Sequence, residues 1–172
     1  MDTERLRKLA GSLMAIGAEL MELADAKPEP EPAPTLDVIY LARAIQGEGA
    51  GGFGDQRDAL GLWIGHTAMN RLEKGWWRYD TMVDVIIGAF HGYVNVASPA
   101  PWAIDLAYCS IHREEDIADG ALFMLSGGDL KEHGWSASTA IKTFTYHGLT
   151  MYFFRLWPGA QDVIRQITST GR

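Results

Sequence analysis

The sequence predicts an α+β fold: a mostly helical domain with a small antiparallel sheet, preceded by a separate amphipathic helix. Three observations predict it. Apolar residues recur at three- and four-residue steps over 1–26 and again in segments between 38 and 113. Past residue 120 the pattern changes to short runs rich in Thr, Tyr and Phe, which read as strands. Between the first helix and the rest, prolines at alternate positions of K-P-E-P-E-P-A-P-T (27–35) forbid helix and favour an extended spacer.

A chain of 172 residues holds one domain of ordinary size and a short appendage, and 47% apolar content supplies a core. The net charge of −7 and the absence of any basic run exclude nucleic acid as a partner. Cys109 is the single cysteine, so no intrachain disulfide can form and no oxidising compartment is implied. The opening Met-Asp-Thr-Glu-Arg-Leu-Arg-Lys mixes acids into its basic stretch and no long apolar run follows, so it lacks a secretory layout. No segment approaches the roughly 18–20 apolar residues that span a bilayer. The expectation is synthesis in the cytoplasm, without a signal peptide and without a membrane span.

Residues 1–26 read as one helix. Leu6, Leu9, Leu13, Ile16, Leu20 and Leu23 form an unbroken heptad seam, and the small residues Ala10, Gly17 and Ala24 run beside it. A helix of fewer than three full heptads is marginal alone. It either folds back on its own domain, self-associates as a homo-oligomer, or docks on a partner helix through residues 6–23. Residues 27–35 are the linker, and 36–172 form the main domain.

That domain opens with a helix whose apolar face is Val38, Ile39, Ala42 and Ile45, stopped by Gly47 and Gly49. A glycine-rich loop follows, G-E-G-A-G-G-F-G. Further helices are predicted over Asp58–Lys74, Tyr79–Phe90 and Trp102–Arg113. Ala121–Ser126 reads as a short strand, and Lys142–Tyr146 with Leu149–Phe154 as a hairpin turning at His147-Gly148. No internal repeat is present.

Glu48 is the first candidate for chemistry. It falls at the C-terminal end of a helix, between two glycines, at the mouth of the loop. The negative end of a helix dipole disfavours further negative charge, and an apolar surround adds desolvation; both raise a carboxyl pKa. A carboxylic acid that keeps its proton near neutral pH is what cleavage of a glycosidic bond requires. An ordinary surface glutamate at a helix end is the plain alternative.

The segment L-A-R-A-I-Q-G-E-G-A (41–50), followed by G-L-W-I-G-H-T-A-M-N-R-L (61–72), resembles the cell wall hydrolase family typified by spore-cortex-lytic enzymes. Arg43, Glu48, Asn70 and Arg71 carry the match. D-I-A-D-G-A-L-F-M (116–124) is similar to that family's Asp-Pro-Thr-x-Gly-Ala-aromatic segment, and Y-H-G-L-T-M-Y-F-F (146–154) resembles its closing strand more loosely. These anchors span roughly 38–155. The resemblance implies a lysozyme-like domain acting on peptidoglycan glycan strands, between N-acetylmuramic acid and N-acetylglucosamine. Glu48 would be the catalytic acid, with no cofactor and no metal. In many relatives the reaction is lytic transglycosylation, in which one glutamate acts first as acid and then as base. The chain departs from the family's Arg-Gly-Glu-like stretch after the catalytic residue. Asp55 or Asp58 is therefore a possible second carboxylate, which would make the enzyme a muramidase. A-F-H-G-Y-V-N (89–95) stands where a Gln-Phe segment is expected, which makes His91 and Tyr93 substrate-binding candidates. Among the other aromatic residues Trp102 and Tyr146, with Trp76, Trp77 and Trp135, could offer flat surfaces to a sugar. Asn70 and Arg71 read as structural, holding their helix against the Glu48 loop.

The five histidines form no HExxH and accompany no cysteine-rich spacing, so a zinc peptidase is not indicated. Cys109 with Ser110 and His112 invites comparison with cysteine-dependent cell wall amidases. A thiol inside a helix lacks the environment that lowers its pKa, however, and a buried structural cysteine is expected. A virion component that has kept a lysozyme-like domain without activity is the remaining alternative. Without a signal peptide, an active enzyme would reach the wall after release as a phage-type lysin or within a phage particle.

Overall fold

The computed structural model describes residues 3–25 and 33–157, and these fall into two units that divide between Ala33 and Pro34. The first contains one helix, α1 (Thr3–Asp25). Most of the proline-rich spacer and the part of the 36–172 domain beyond residue 157 lie outside the described residues. Among the described residues, no helix is long and apolar enough to cross a membrane.

The second unit is α+β. Its first helix, α2 (Leu36–Gly47), begins where the Thr35 hydroxyl accepts the Val38 N–H. Val38, Leu41, Ala42, Ala44 and Ile45 are all buried, a wider face than a surface helix needs. The reason is that α3 (Arg57–Glu73), α4 (Met82–Ala89) and α5 (Pro101–Ile111) all pack on α2. Each fully buried aliphatic chain here contributes roughly 1.5–3 kcal/mol, so the helical layer fixes the end of α2 firmly. In α3 the buried stretch from Leu60 to Arg71 goes almost all the way round, taking in His66, Asn70 and Arg71 as well as Leu60 and Ile64.

The sheet contains β1 (Phe123–Ser126), β2 (Lys142–Tyr146) and β3 (Leu149–Phe154), antiparallel throughout, in the order β1-β3-β2. Met151 at the centre of β3 pairs with Ser126 on one side and Phe144 on the other. The hairpin turns at His147 (φ 46°) and Gly148 (φ 84°), a two-residue turn that needs both residues in the left-handed region. Trp63 of α3 meets Phe153 and Phe144 edge-on, at ring centroid distances of 5.2 and 6.2 Å, and joins the sheet to the helices.

Four details differ from the sequence expectations. The helix expected from Tyr79 begins at Met82, because Thr81 caps it by accepting the Asp84 N–H and Trp77 and Arg78 adopt positive φ. The strand expected from Ala121 begins at Phe123, after a turn at Asp119 and Gly120 that Asp116 closes by accepting the Ala118 and Gly120 N–H groups. The loop after Glu48 is built of two 3-10 turns, Ala50–Gly52 and Gly54–Gln56, anchored by buried Phe53. Finally, Cys109 is exposed, not buried: Leu106, Ala107 and Ser110 take the inward face of α5 and leave residue 109 outside. A further helix that the sequence reading lacked, α6 (Gly127–Glu132), follows β1 directly and starts with a reciprocal cap between Ser126 and Asp129.

Candidate active site

Glu48 is the C-cap of α2, its N–H bonded to the Ala44 carbonyl at 2.8 Å, and Gly49 (φ 93°) then turns the chain out of the helix. The last turn of α2 organises what faces it. Arg43 donates from Nε to the Val96 carbonyl at 2.6 Å, and Gln46 Oε1 accepts the Ala100 N–H at 2.8 Å. Between these anchors, Gly47 meets Gly92 main chain to main chain; a Cβ built on Gly47 would lie 2.1 Å from the Gly92 carbonyl oxygen. That approach brings the N–H groups of His91 and Gly92 onto one oxygen of Glu48, at 2.9 and 2.8 Å from Oε1. Hydrogen bonds to a charged group each contribute about 1.5–3 kcal/mol, enough to hold the side chain in one orientation. With Oε1 committed as acceptor to both donors, Oε2 is the oxygen left to meet a substrate.

Two cavities share Glu48 in their walls. One, of about 560 Å³, is lined further by Gly49, Phe53, Lys131 and the β3 residues Leu149 to Tyr152. The other, of about 530 Å³, is lined by Arg71, His91, Phe123, Asp129, His133, Trp135 and Trp157. The α6 segment contributes to both, with Gly127, Gly128 and Lys131 in the first and Asp129 in the second. Phe123, Trp135 and Trp157 contact one another, centroids 5.3–5.7 Å apart, and give the second cavity an aromatic wall.

Arg71 is buried in that second wall. Its Nε donates to the Leu122 carbonyl at 2.6 Å and its Nη1 to the Ala89 carbonyl at 3.0 Å, with the rings of Trp76 and Phe90 each 4.7 Å from its guanidinium. Burial pushes its pKa down to about 10, while the charge of Glu48 works the other way, so it stays a cation at neutral pH. Asn70 donates to the Ala121 carbonyl at 3.1 Å. The pair thus ties α3 to the segment entering β1 and to the end of α4, not to the Glu48 loop as the sequence reading had it. Beneath it, Arg113 donates to Asn70 Oδ1 and Glu73 Oε2, at 2.9 and 2.8 Å, and His66 Nδ1 accepts the Ile117 N–H at 3.2 Å. Burial, helped by the charge of Arg113, pushes the His66 pKa below its ordinary 6.5 against the pull of Asp116 and Glu73.

No family model, curated protein or solved structure matches the chain.

Of the residues singled out from sequence, Glu48 and His91 come together, His91 as a cavity residue and a main-chain donor. Asp55 and Asp58 are exposed and line neither cavity; Asp58 instead pairs with Arg57 at 2.6 Å. Tyr93 also lies outside both linings, its ring tilted against that of Tyr40 at a centroid distance of 6.1 Å, with Arg43 over the two. The guanidinium of Arg57 covers Trp102 at 4.9 Å. Tyr146 packs over Gly54, where a built Cβ would fall 2.4 Å from its ring. Of the remaining aromatic candidates, Trp135 lines the second cavity whereas Trp76 and Trp77 line neither.

The sequence reading missed Asp129, Lys131, His133 and Trp157. The Ser126-Gly-Gly-Asp129 cap was a local signal for α6; nothing in sequence tied that segment to Glu48. Among the described residues, no group of three or more His, Cys, Asp or Glu side chains is arranged to hold a metal ion. The arrangement offers one carboxyl held in a fixed orientation, a buried cation in the same wall, and space on both sides. That suits proton transfer to and from a substrate lying across Glu48.

Proposed function

We propose that this chain cleaves the glycan strands of peptidoglycan between N-acetylmuramic acid and N-acetylglucosamine, as a lytic transglycosylase with Glu48 as its acid and base. The observation that carries the reading is the position of Glu48 in the walls of two cavities at once. A polymer-cleaving acid needs room for a sugar on each side of the bond it protonates, and cavities of about 560 and 530 Å³ supply it. The motif residues also lie close in space: Asn70 and Arg71 bond to Ala121 and Leu122 of the 116–124 segment, and Arg71 shares a cavity wall with Glu48.

In this reading Glu48 Oε2 gives its proton to the bridging oxygen as the bond to the muramic anomeric carbon breaks. The resulting carboxylate then takes the proton of the muramic 6-hydroxyl as that oxygen closes on the same carbon. The products are a free N-acetylglucosamine 4-hydroxyl end and a 1,6-anhydromuramic end, and Glu48 regains its proton. No second carboxylate is needed, in keeping with the exposed positions of Asp55 and Asp58 away from the cavities. Clearing of a peptidoglycan suspension by the purified protein tests the reading. Wild type should clear it and Glu48→Gln should not; no release of soluble glycan by wild type would refute it.

A further inference from the structure

Arg71 is 4% exposed and carries its charge without an ion pair: among the described residues, no carboxylate bridges to its guanidinium. The groups that hold it are neutral, the Leu122 and Ala89 carbonyls and the Trp76 and Phe90 rings. A buried charge is unfavourable unless an opposite charge meets it. The two carboxylates in the wall of the second cavity are engaged elsewhere. Glu48 Oε1 accepts the His91 and Gly92 N–H groups, and Asp129 Oδ2 accepts the hydroxyl and the N–H of Ser126. The bonds of Arg71 leave from Nε and Nη1, and Nη2 donates to nothing among the described residues. No fully buried side-chain nitrogen or oxygen among them lacks a partner, so Nη2 is open to the cavity that Arg71 lines. His91 and His133, both exposed, add ring N–H donors to that cavity, and Phe123, Trp135 and Trp157 give it ring surface.

A guanidinium in such a place fits a carboxylate, because its charge is little screened and its planar donors match the two oxygens. We propose that the second cavity holds the muramic sugar of the strand, with the carboxylate of that sugar's lactyl arm on Arg71. The proposal rests on the peptidoglycan reading of Glu48 and deepens it: of the two sugars flanking the bond, only N-acetylmuramic acid carries the arm. The departing N-acetylglucosamine then lies in the first cavity. The cation there, Lys131, is exposed. An exposed ammonium pairs weakly with a carboxylate, so Arg71 decides which way round the strand lies across Glu48. Where the arm is bare, the anion is the lactyl carboxylate itself. Where a peptide extends the arm, the anion is a carboxylate of that peptide.

The test titrates the full chain with single muramic sugars, which hold no glycosidic bond to cleave, by ligand-observed NMR. The probes are N-acetylmuramic acid, N-acetylmuramyl-L-alanyl-D-isoglutamine, the methyl ester of each, and N-acetylglucosamine. At least one acid should bind about tenfold or more tighter than its ester, the scale of a hydrogen bond to a charged group, and tighter than N-acetylglucosamine. The pair that shows the difference distinguishes the lactyl carboxylate from the peptide one. Arg71→Gln, where its melting curve shows a folded protein, should lose the preference. Equal binding of acid and ester in both pairs would overturn the proposal without recourse to any variant. A preference that survives in folded Arg71→Gln, or that disappears in Lys131→Ala, would overturn it too. A protein that shows the preference but releases no glycan would refute cleavage and uphold the subsite; one that cleaves without the preference would refute the subsite alone.

Discussion

Gly92 and Gly47 touch through their main chains, and a Cβ on Gly92 would fall 2.3 Å from the Gly47 carbonyl group. The N–H donors that hold Glu48 are set by this contact. Gly92→Ala must push the 91–95 segment off the end of α2 and draw both donors away from Oε1. Overpacking of this kind costs about 1–3 kcal/mol, or roughly 2–12 °C in Tm for a chain of this size. Turnover on peptidoglycan should fall further than the stability loss accounts for. Unchanged melting and unchanged turnover in Gly92→Ala would show that the contact does not position the carboxyl.

Stability should depend on pH through His66. Its folded pKa lies below the unfolded value of 6.5 because the ring is buried. Between those two values the unfolded chain binds more protons, so stability rises with pH there and is lost as pH falls through 6.5 toward the folded pKa. Thermal melts from about pH 7.5 down to about pH 5.5 should show a falling Tm. In His66→Asn an amide oxygen can accept the Ile117 N–H without titrating, so its Tm should fall less over that range. Equal slopes in the two proteins would assign the acid sensitivity elsewhere.

The helical core was readable because its period is long and its punctuation strong. Asp58–Lys74 was expected and Arg57–Glu73 is found, and the 142–146 and 149–154 hairpin falls where His147-Gly148 places it. Short elements were harder. Gly127-Gly128 hides α6 from any apolar periodicity, and Trp77 and Arg78 adopt left-handed conformations that their residue types do not announce. In the candidate site, Glu48 could be singled out from its own neighbours in sequence, but the facing wall could not. Asp129, His133, Trp135 and Trp157 reach it through the sheet and α6, from a part of the chain with no local link to α2. The aromatic residues at 93, 102 and 146 are engaged by partners nearer to them, which sequence spacing does not disclose.

The products should report a single working carboxylate. Mass spectrometry of digested peptidoglycan should show 1,6-anhydromuramyl ends, each lighter by one water than a hydrolytic end. Asp55→Asn and Asp58→Asn should leave both rate and product unchanged. Asp129 lines the second cavity but its Oδ2 is engaged by the Ser126 hydroxyl at 2.7 Å. Asp129→Asn should therefore weaken the reciprocal cap at the start of α6 and leave the product type as it was. Reducing muramic ends that disappear in any of these variants would identify a water-activating carboxylate instead.

Cys109 projects from α5 into solvent and lines neither cavity. Cys109→Ala should keep wild-type turnover, and alkylation of the thiol should not inhibit. Loss of activity with an unchanged melting curve would revive a cysteine-dependent amidase.

The most direct test of the central claim is the turnover of Glu48→Gln on purified peptidoglycan, measured as soluble muropeptide released against time. The amide keeps the size of the side chain and an oxygen to accept the His91 and Gly92 N–H groups, but it has no proton to give. Release should fall at least about a hundredfold, the scale of a lost general acid, with little change in Tm. Wild-type release by Glu48→Gln would contradict the assignment of this carboxyl as the catalytic group.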